Sequence, residues 1–197
     1  MVNAPCYPNT QAFSQELMEK LPDLIDMEPG GVLILFSSHR HLDETYEQLT
    51  RICSGHLLKQ SQLGKHQLLE QHRKYIDQGQ KSIILGLQSF AEGVDLIGNY
   101  CNHVIITKLN FKAPNTPIEK TIQHHYQKKG LNAFYQHSLP EASLRLTQAA
   151  GRLVRSTTDR GRVTLCDRRI IDQAYGLKLL DNLPGFTLKL PRKEAID

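Results

Sequence analysis

No apolar run in this chain approaches the roughly 20 residues that a membrane-spanning helix requires, and no basic stretch followed by an apolar core opens it. A cytoplasmic protein with no membrane partner is expected. The four cysteines, Cys6, Cys53, Cys101 and Cys166, lie far apart and form no C-x-x-C pair, which argues against a zinc knuckle and a disulfide framework and for buried reduced thiols. Nine histidines are present without an H-E-x-x-H or other recognised ligand pattern, and His66 and His72 fall on different faces of one predicted helix, so no metal site is expected. The chain has no internal repeat and no low-complexity tract. It also lacks a G-x-x-x-x-G-K-[ST] loop and an Asp-Glu-x-His segment at a strand end, the two devices that cradle β/γ-phosphates and hold Mg²⁺. Neither a nucleophile–base pair nor a metal cluster points to an unrelated α/β enzyme with a pocket of its own.

What is present suits one ordinary globular domain. The chain has 197 residues, of which 40% are apolar and 22% charged, enough for a sizeable core. A net charge of +4 permits nucleic-acid binding without requiring it. From Thr10 to about Met27, Phe13, Leu17, Leu21, Leu24 and Ile25 recur with helical period around Pro22, predicting an amphipathic helix or helix pair. A Pro29-Gly30-Gly31 turn precedes the apolar run Val32 to Phe36, which reads as a buried parallel strand. The alternation continues with helices over 41–50 and 62–77, strands over 82–87 and 103–108, and a helix over 116–129. Pro140 then opens a helix carrying Gln148 to Arg155, and a last strand covers 162–166. This order predicts a right-handed, mostly parallel sheet sandwiched by helices, with function on the loops after strand C-termini. Residues 1–30 read as a helical lead-in, 31–185 as the domain and 186–197 as a tail.

Three segments carry candidate chemistry. Ser37, Ser38, His39 and Arg40 follow a buried strand and open a helix, gathering hydroxyls, backbone N–H groups and a guanidinium where a phosphate is favoured. Plain N-capping by serine explains the same residues. Gln88 to Asp95 also follows a strand and is too polar to continue the sheet; Gly93 permits positive φ or a close backbone approach. Glu92 and Asp95 could equally only order that loop. In Gln148-Ala149-Ala150-Gly151-Arg152-Leu153-Val154-Arg155-Ser156, a glutamine and two arginines stand at helical spacing. Two guanidiniums on a rigid element suit a polyanion whose charge grows in a transition state; a solvated basic face is the plain alternative.

Taken in order, Gly31 to Arg40, Gly86 to Gly98 and Gln148 to Ser156 resemble motifs IV, V and VI of superfamily 2 helicases. The wording Leu87-Gln88-Ser89-Phe90-Ala91-Glu92-Gly93-Val94-Asp95-Leu96 is most similar to the DinG branch of the DinG/XPD group. The resemblance implies an α/β, RecA-like (P-loop NTPase-type) fold without its own Walker A loop. It implies that Ser37, Ser38, Arg40, Gln88, Ser89 and Phe90 contact a nucleic-acid strand, and that Glu92, Gly93 and Asp95 lie on the ATP side of motif V. Arg152 and Arg155 would reach the γ-phosphate as arginine fingers, with Gln148 positioning that phosphate or the attacking water. Arg168-Arg169 reads as a surface or structural pair, with nucleic-acid contact as the alternative.

With half of an ATP site missing, the expectation is the C-terminal RecA-like domain of a longer DinG-like DNA helicase, expressed as a fragment or encoded as a truncated product. Its partners would be single-stranded DNA and the N-terminal RecA-like domain of the same parent, and ATP with Mg²⁺ would be bound only by that parent. The rival reading is a stand-alone nucleic-acid-binding or adaptor module without ATPase activity. The pure chain is expected to hydrolyse no ATP, because it lacks the phosphate cradle and Mg²⁺ ligands. A turnover assay freed of contaminating ATPases checks this, and DNA-stimulated hydrolysis would overturn it.

Overall fold

The computed structural model describes residues 8, 10–112, 115–151, 153, 160–183 and 185–190. Its centre is β1 (Val32–Phe36), buried at every position. Around it lie β2 (His56–Lys59), β3 (Ser82–Leu87), β4 (His103–Ile106) and β5 (Arg162–Leu165), in the order β2-β3-β1-β4-β5. All four pairings are parallel. Side chains alternate across a strand, and the two faces collect separate cores. Val32, Ile34 and Phe36 pack with residues of α1 (Gln11–Asp26) and α2 (His39–Ile52), including Phe13, Leu17 and Leu42. Leu33 and Leu35 pack on the opposite face with Leu68 of α3 (Lys65–Asp77), Leu146 of α6 (Leu139–Ala150), Ile170 of α7 (Arg169–Asp172) and Leu179 of α8 (Gly176–Asp181). The short α4 (Gln88–Ala91) and α5 (Pro117–Lys128) complete the order. Among the described residues, no helix is long and apolar enough to cross a membrane.

The expected α/β sandwich is therefore the observed one, with local differences. α1 is a single helix that contains Pro22 and is capped by Thr10, whose Oγ1 accepts from the Phe13 N–H at 3.2 Å. The edge strand β2 was not expected; four residues behind Gly55 carry too little period-2 signal to separate from a loop. The helix predicted to run through Gln148 to Arg155 is described only to Ala150, with Gly151 at its C-cap. A π-helical turn, Phe134–Ser138, leads into that helix. Cys101 and Cys166 are buried free thiols whose pKa burial pushes up to about 12, and Cys53 is free as well.

Gly31 shows how closely the layers approach. Its N–H donates to Asn99 O at 2.9 Å and its carbonyl accepts from Asn102 N at 2.9 Å. A Cβ there would stand 2.0 Å from Tyr100 O, so any larger residue would push β1 away from the chain entering β4. His72 braces the same place. Its Nε2 lies 2.7 Å from Tyr100 O, which can only accept, so Nε2 carries the proton and Nδ1 accepts from Ser82 Oγ at 2.8 Å.

Two buried histidines make this fold sensitive to acid. Burial, helped by the charge of Arg162, lowers the pKa of His103 from 6.5 to about 3, and burial also lowers that of His72 against the opposing effect of its Tyr100 hydrogen bond. Below the unfolded value of 6.5 the unfolded chain takes up protons that the folded chain refuses. Stability from these groups is thus whole above that pH and falls as pH drops toward the folded values, by up to roughly tenfold in the folding constant per histidine per pH unit. Melting temperature should decline between pH 7.5 and 5, and His103→Leu should flatten part of that decline.

Candidate functional site

Loops leaving the C-terminal ends of parallel strands gather along one edge of the sheet, and the register fixes which residues become neighbours there. Phe36 pairs with Leu87, Leu35 with Ile106 and Ile106 with Leu165. Continued outward, the pairing sets Gln88, Ser37, Lys108 and Asp167 in one row across four strands. Gln88 bridges the row: its Nε2 donates to Lys108 O at 3.1 Å, two strands away, and its Oε1 is buried without a hydrogen-bond partner. The Leu87 N–H at the root of this loop donates to Gln60 Oε1 at 2.7 Å.

Next to this row lies a cleft of about 220 Å³ lined by Gln88, Ser89, Glu92, Asn110, Arg145 and Gln148, with Ala91 and Ala149 in its floor. Four of the expected site residues, Gln88, Ser89, Glu92 and Gln148, therefore meet in one place, although the first two were assigned to a nucleic-acid strand and the others to the nucleotide. Arg145 and Asn110 are additions. Arg145 is half-buried; its NH1 donates to Asn110 O at 3.4 Å and its NH2 lies 3.6 Å from Glu141 Oε2, so the guanidinium is held across the loop after β4. Helix phasing could have found it, because Arg145 and Gln148 are spaced i, i+3 and share a face. Asn110 carries no such signal.

The remaining expected residues lie elsewhere. Ser38 is the N-cap of α2, and its Oγ accepts from the His41 N–H at 3.4 Å, so the capping role is present. Ser37 sits half-buried beside it, and Arg40, 84% exposed, pairs through Nε with Glu44 at 2.8 Å. Phe90 packs on Gly86, where a Cβ would stand 2.8 Å from its ring; Lys65 Nζ lies 5.2 Å from the ring centroid. Gly93 takes φ +70. Its loop is tied to α3 by Lys65 Nζ, which donates to Glu92 O, and by Arg73, whose NH2 donates to Asp95 O at 2.7 Å. Gly93 and Asp95 do not line the cleft. Arg152 and Arg155 lie outside the described residues.

Two polar clusters hold the walls. Asp167, 1% exposed, accepts the Leu109 N–H at 2.8 Å and a two-pronged contact from Arg169, with Nε to Oδ1 at 2.9 Å and NH2 to Oδ2 at 2.6 Å. Arg169 also donates to Leu109 O at 3.2 Å and lies 5.0 Å from the Phe111 ring centroid. This gives Arg169 the structural role expected of the pair, while the exposed Arg168 bridges to Asp172 at 2.8 Å. Glu119, His137 and Glu141 come close enough to share a metal ion. Lys112 Nζ, however, already lies 2.8 Å from Glu141 and 3.7 Å from Glu119, and Arg145 supplies a second cation. The cluster is a charge-balanced latch, and Lys112 holds the Glu141 carboxyl below its usual pKa.

A five-stranded parallel sheet covered on both faces, with a polar cleft at its C-terminal edge, defines a RecA-like α/β domain. Residues 21–186 match the family model described as the helicase C-terminal domain, and the chain belongs to that family. It is 38% identical over 182 residues to the ATP-dependent DNA helicase DinG of Photobacterium profundum, covering 91% of this chain and 26% of that protein. It is 37% identical over 161 residues to the DinG of Escherichia coli K12, covering 82% of this chain and 22% of the relative. The chain thus spans about a quarter of the length of these relatives. A solved XPD helicase superposes with a TM-score of 0.67 at 20% identity, covering 96% of this chain and 34% of that one. This last likeness concerns the fold alone.

The Asp167–Arg169 pair generates a prediction about stability. Breaking a buried pair from one side strands the other charge, at a cost on the order of 3 kcal/mol. Asp167→Ala should lower the unfolding free energy by about that amount in urea titration. Arg168→Ala, on the exposed neighbour, should change it by less than about 0.5 kcal/mol.

Proposed function

We propose that this chain is the C-terminal motor domain of an ATP-dependent DNA helicase, forming one side of an interdomain ATP site and one wall of a groove for single-stranded DNA. The observation that carries the reading is the convergence of the β3–α4 loop and α6 on one cleft, with Gln88, Ser89 and Glu92 facing Arg145 and Gln148. The named relatives, ATP-dependent DNA helicases of greater length, support it.

The donor set suits a nucleotide. Arg145 and the amides of Gln148 and Asn110 offer N–H groups to phosphoryl oxygens. The exposed Glu92 carboxylate can accept from hydroxyls. ATP with Mg²⁺, bound by the longer parent, would supply the phosphoryl group that is transferred to water. Gln148 would orient the attacking water, and Arg152 and Arg155 would meet the charge that grows on the leaving phosphoryl oxygens. Glu92 lies on the nucleotide side of the cleft, Gly93 and Asp95 would act there only by shaping the loop that carries it, and Ser37, Ser38, Arg40, Gln88, Ser89 and Phe90 form the strand side. Two purposes for one loop provide a physical link, because a change in nucleotide state moves the groups that grip the strand. The partner across the cleft is the parent's N-terminal RecA-like domain, which brings the phosphate cradle that this chain lacks.

The test uses the full-length parent. Arg152→Ala and Arg155→Ala should each lower ATP turnover by about 10³-fold or more, with a smaller loss in ATP binding and an unchanged melting temperature. Lysine should rescue poorly, since it keeps the charge but not the planar fork. Near-normal hydrolysis would dismiss the finger role, and a collapse in melting temperature would assign that arginine to the fold.

A further inference from the structure

Between β4 and α6 the chain makes an excursion in which Glu119 is the single acidic residue. From Lys120 to Pro140 there is no acidic residue. The one carboxylate of α5, Glu119, is 5% exposed and turned toward the body, where Lys112 Nζ and His137 Nε2 lie 3.7 and 3.8 Å from it. Glu119 anchors the helix without cancelling its outward charge.

The outward side is a stripe. Lys120, His124 and Lys128 follow one another at i, i+4 and i+8, so they share one face, and all three are exposed. Ile122 and Tyr126, near the bearing of Glu119, are half-buried on the other face. Lys129 extends the positive end of the stripe. Lys120, Lys128 and Lys129 have no carboxylate partner among the described residues. At 1.5 Å per residue, Lys120 and Lys128 stand about 12 Å apart along the helix axis. α5 begins seven residues beyond Asn110 of the cleft, and its Glu119 is joined through Lys112 and Glu141 to Arg145, which lines that cleft.

We infer that the outer face of α5 is a second nucleic-acid contact, at which Lys120, Lys128 and Lys129 bind the phosphate backbone of a single strand leaving the groove at the C-terminal edge. This rests on the reading of that edge as a strand groove. Charge complementarity selects the occupant: the centres of protein interfaces are depleted in lysine, whereas unpaired lysines without neighbouring acids release counterions from a polyphosphate. The contact is independent of base sequence, because point charges on flexible stems read phosphates rather than base edges.

The test is salt-dependent binding of a fluorescent oligothymidylate to the whole chain. It compares the wild type with the triple variant Lys120→Gln, Lys128→Gln, Lys129→Gln and with the groove variant Ser37→Ala, Arg40→Gln, each checked for an unchanged melting temperature. Each phosphate contact contributes about 0.7 to the slope of log affinity against log salt for a single strand, so the triple variant should lose about 2 from that slope. An unchanged slope overturns the α5 contact, whatever the groove variant does. If the triple variant loses slope and the groove variant binds normally, the α5 contact stands and the assignment of Ser37 and Arg40 falls. If the wild-type chain shows no salt-dependent binding, both fall. If the triple variant binds the strand normally but associates less tightly with the parent's N-terminal motor half, the face is a protein-docking surface and the inference is wrong.

Discussion

The constraint on which the rest of this molecule depends is the register of β1 between β3 and β4. β1 is fully buried on both faces, so its side chains are committed to two different cores, and a slip of one residue would exchange them. With Ile34 opposite both Leu85 and Ile105, the strands end at matched heights and their outgoing loops meet. Ser37, Gln88 and Lys108 become neighbours for this reason alone, since 51 and 20 residues of sequence separate the successive members. The Gln88 side chain then crosses β1 to Lys108 O and fixes the edge from above.

Charge holds the walls that hydrophobic packing cannot reach. A buried carboxylate is tolerated where cations and N–H groups satisfy its oxygens. Asp167 meets that condition with Arg169 and the Leu109 N–H, and so joins the ends of β5 and β4. Above it, Phe111, Phe134 and Tyr175 pack with centroids 5.1 to 5.8 Å apart, linking the π-helical turn to the chain that follows β5. Lys112, Glu119, Glu141 and Arg145 repeat the device at the start of α6. Arg145 belongs both to this latch and to the cleft, so the two are mechanically continuous.

On the function proposed above, this domain supplies half of a site. Its cleft contains acceptors, amides and one held guanidinium, and the sequence has no G-x-x-x-x-G-K-[ST] loop to enclose phosphates. Under that function, the surface would gain its chemistry when another domain closes on it, and closure would also remove water that otherwise screens Arg145. The modest net charge of +4 understates the positive character of the surface, because acids such as Asp167 and Glu119 are turned inward while Lys120, Lys128 and Lys129 remain outside.

The sequence alone determined the layered architecture. Runs such as Val32 to Phe36 and Ser82 to Leu87 alternate with amphipathic stretches, and parallel strands buried on both faces have few other ways to be covered. It also marked Ser37 to Arg40, Gln88 to Asp95 and Gln148 to Arg155 as polar interruptions at element ends, by local composition and by resemblance. Only the tertiary structure decided which of these meet. Gln88, Ser89, Glu92 and Gln148 share a cleft with Arg145 and Asn110 because register and helix packing bring them together, whereas Gly93 and Asp95, one and three positions beyond Glu92 on the same loop, stay outside it, with Asp95 tied to α3. β2 and Asn110 were equally hidden, since four residues carry little periodicity and a cleft lining drawn from distant elements leaves no trace in local spacing. Local propensity specifies elements; the long-range pairing of buried strands specifies neighbours.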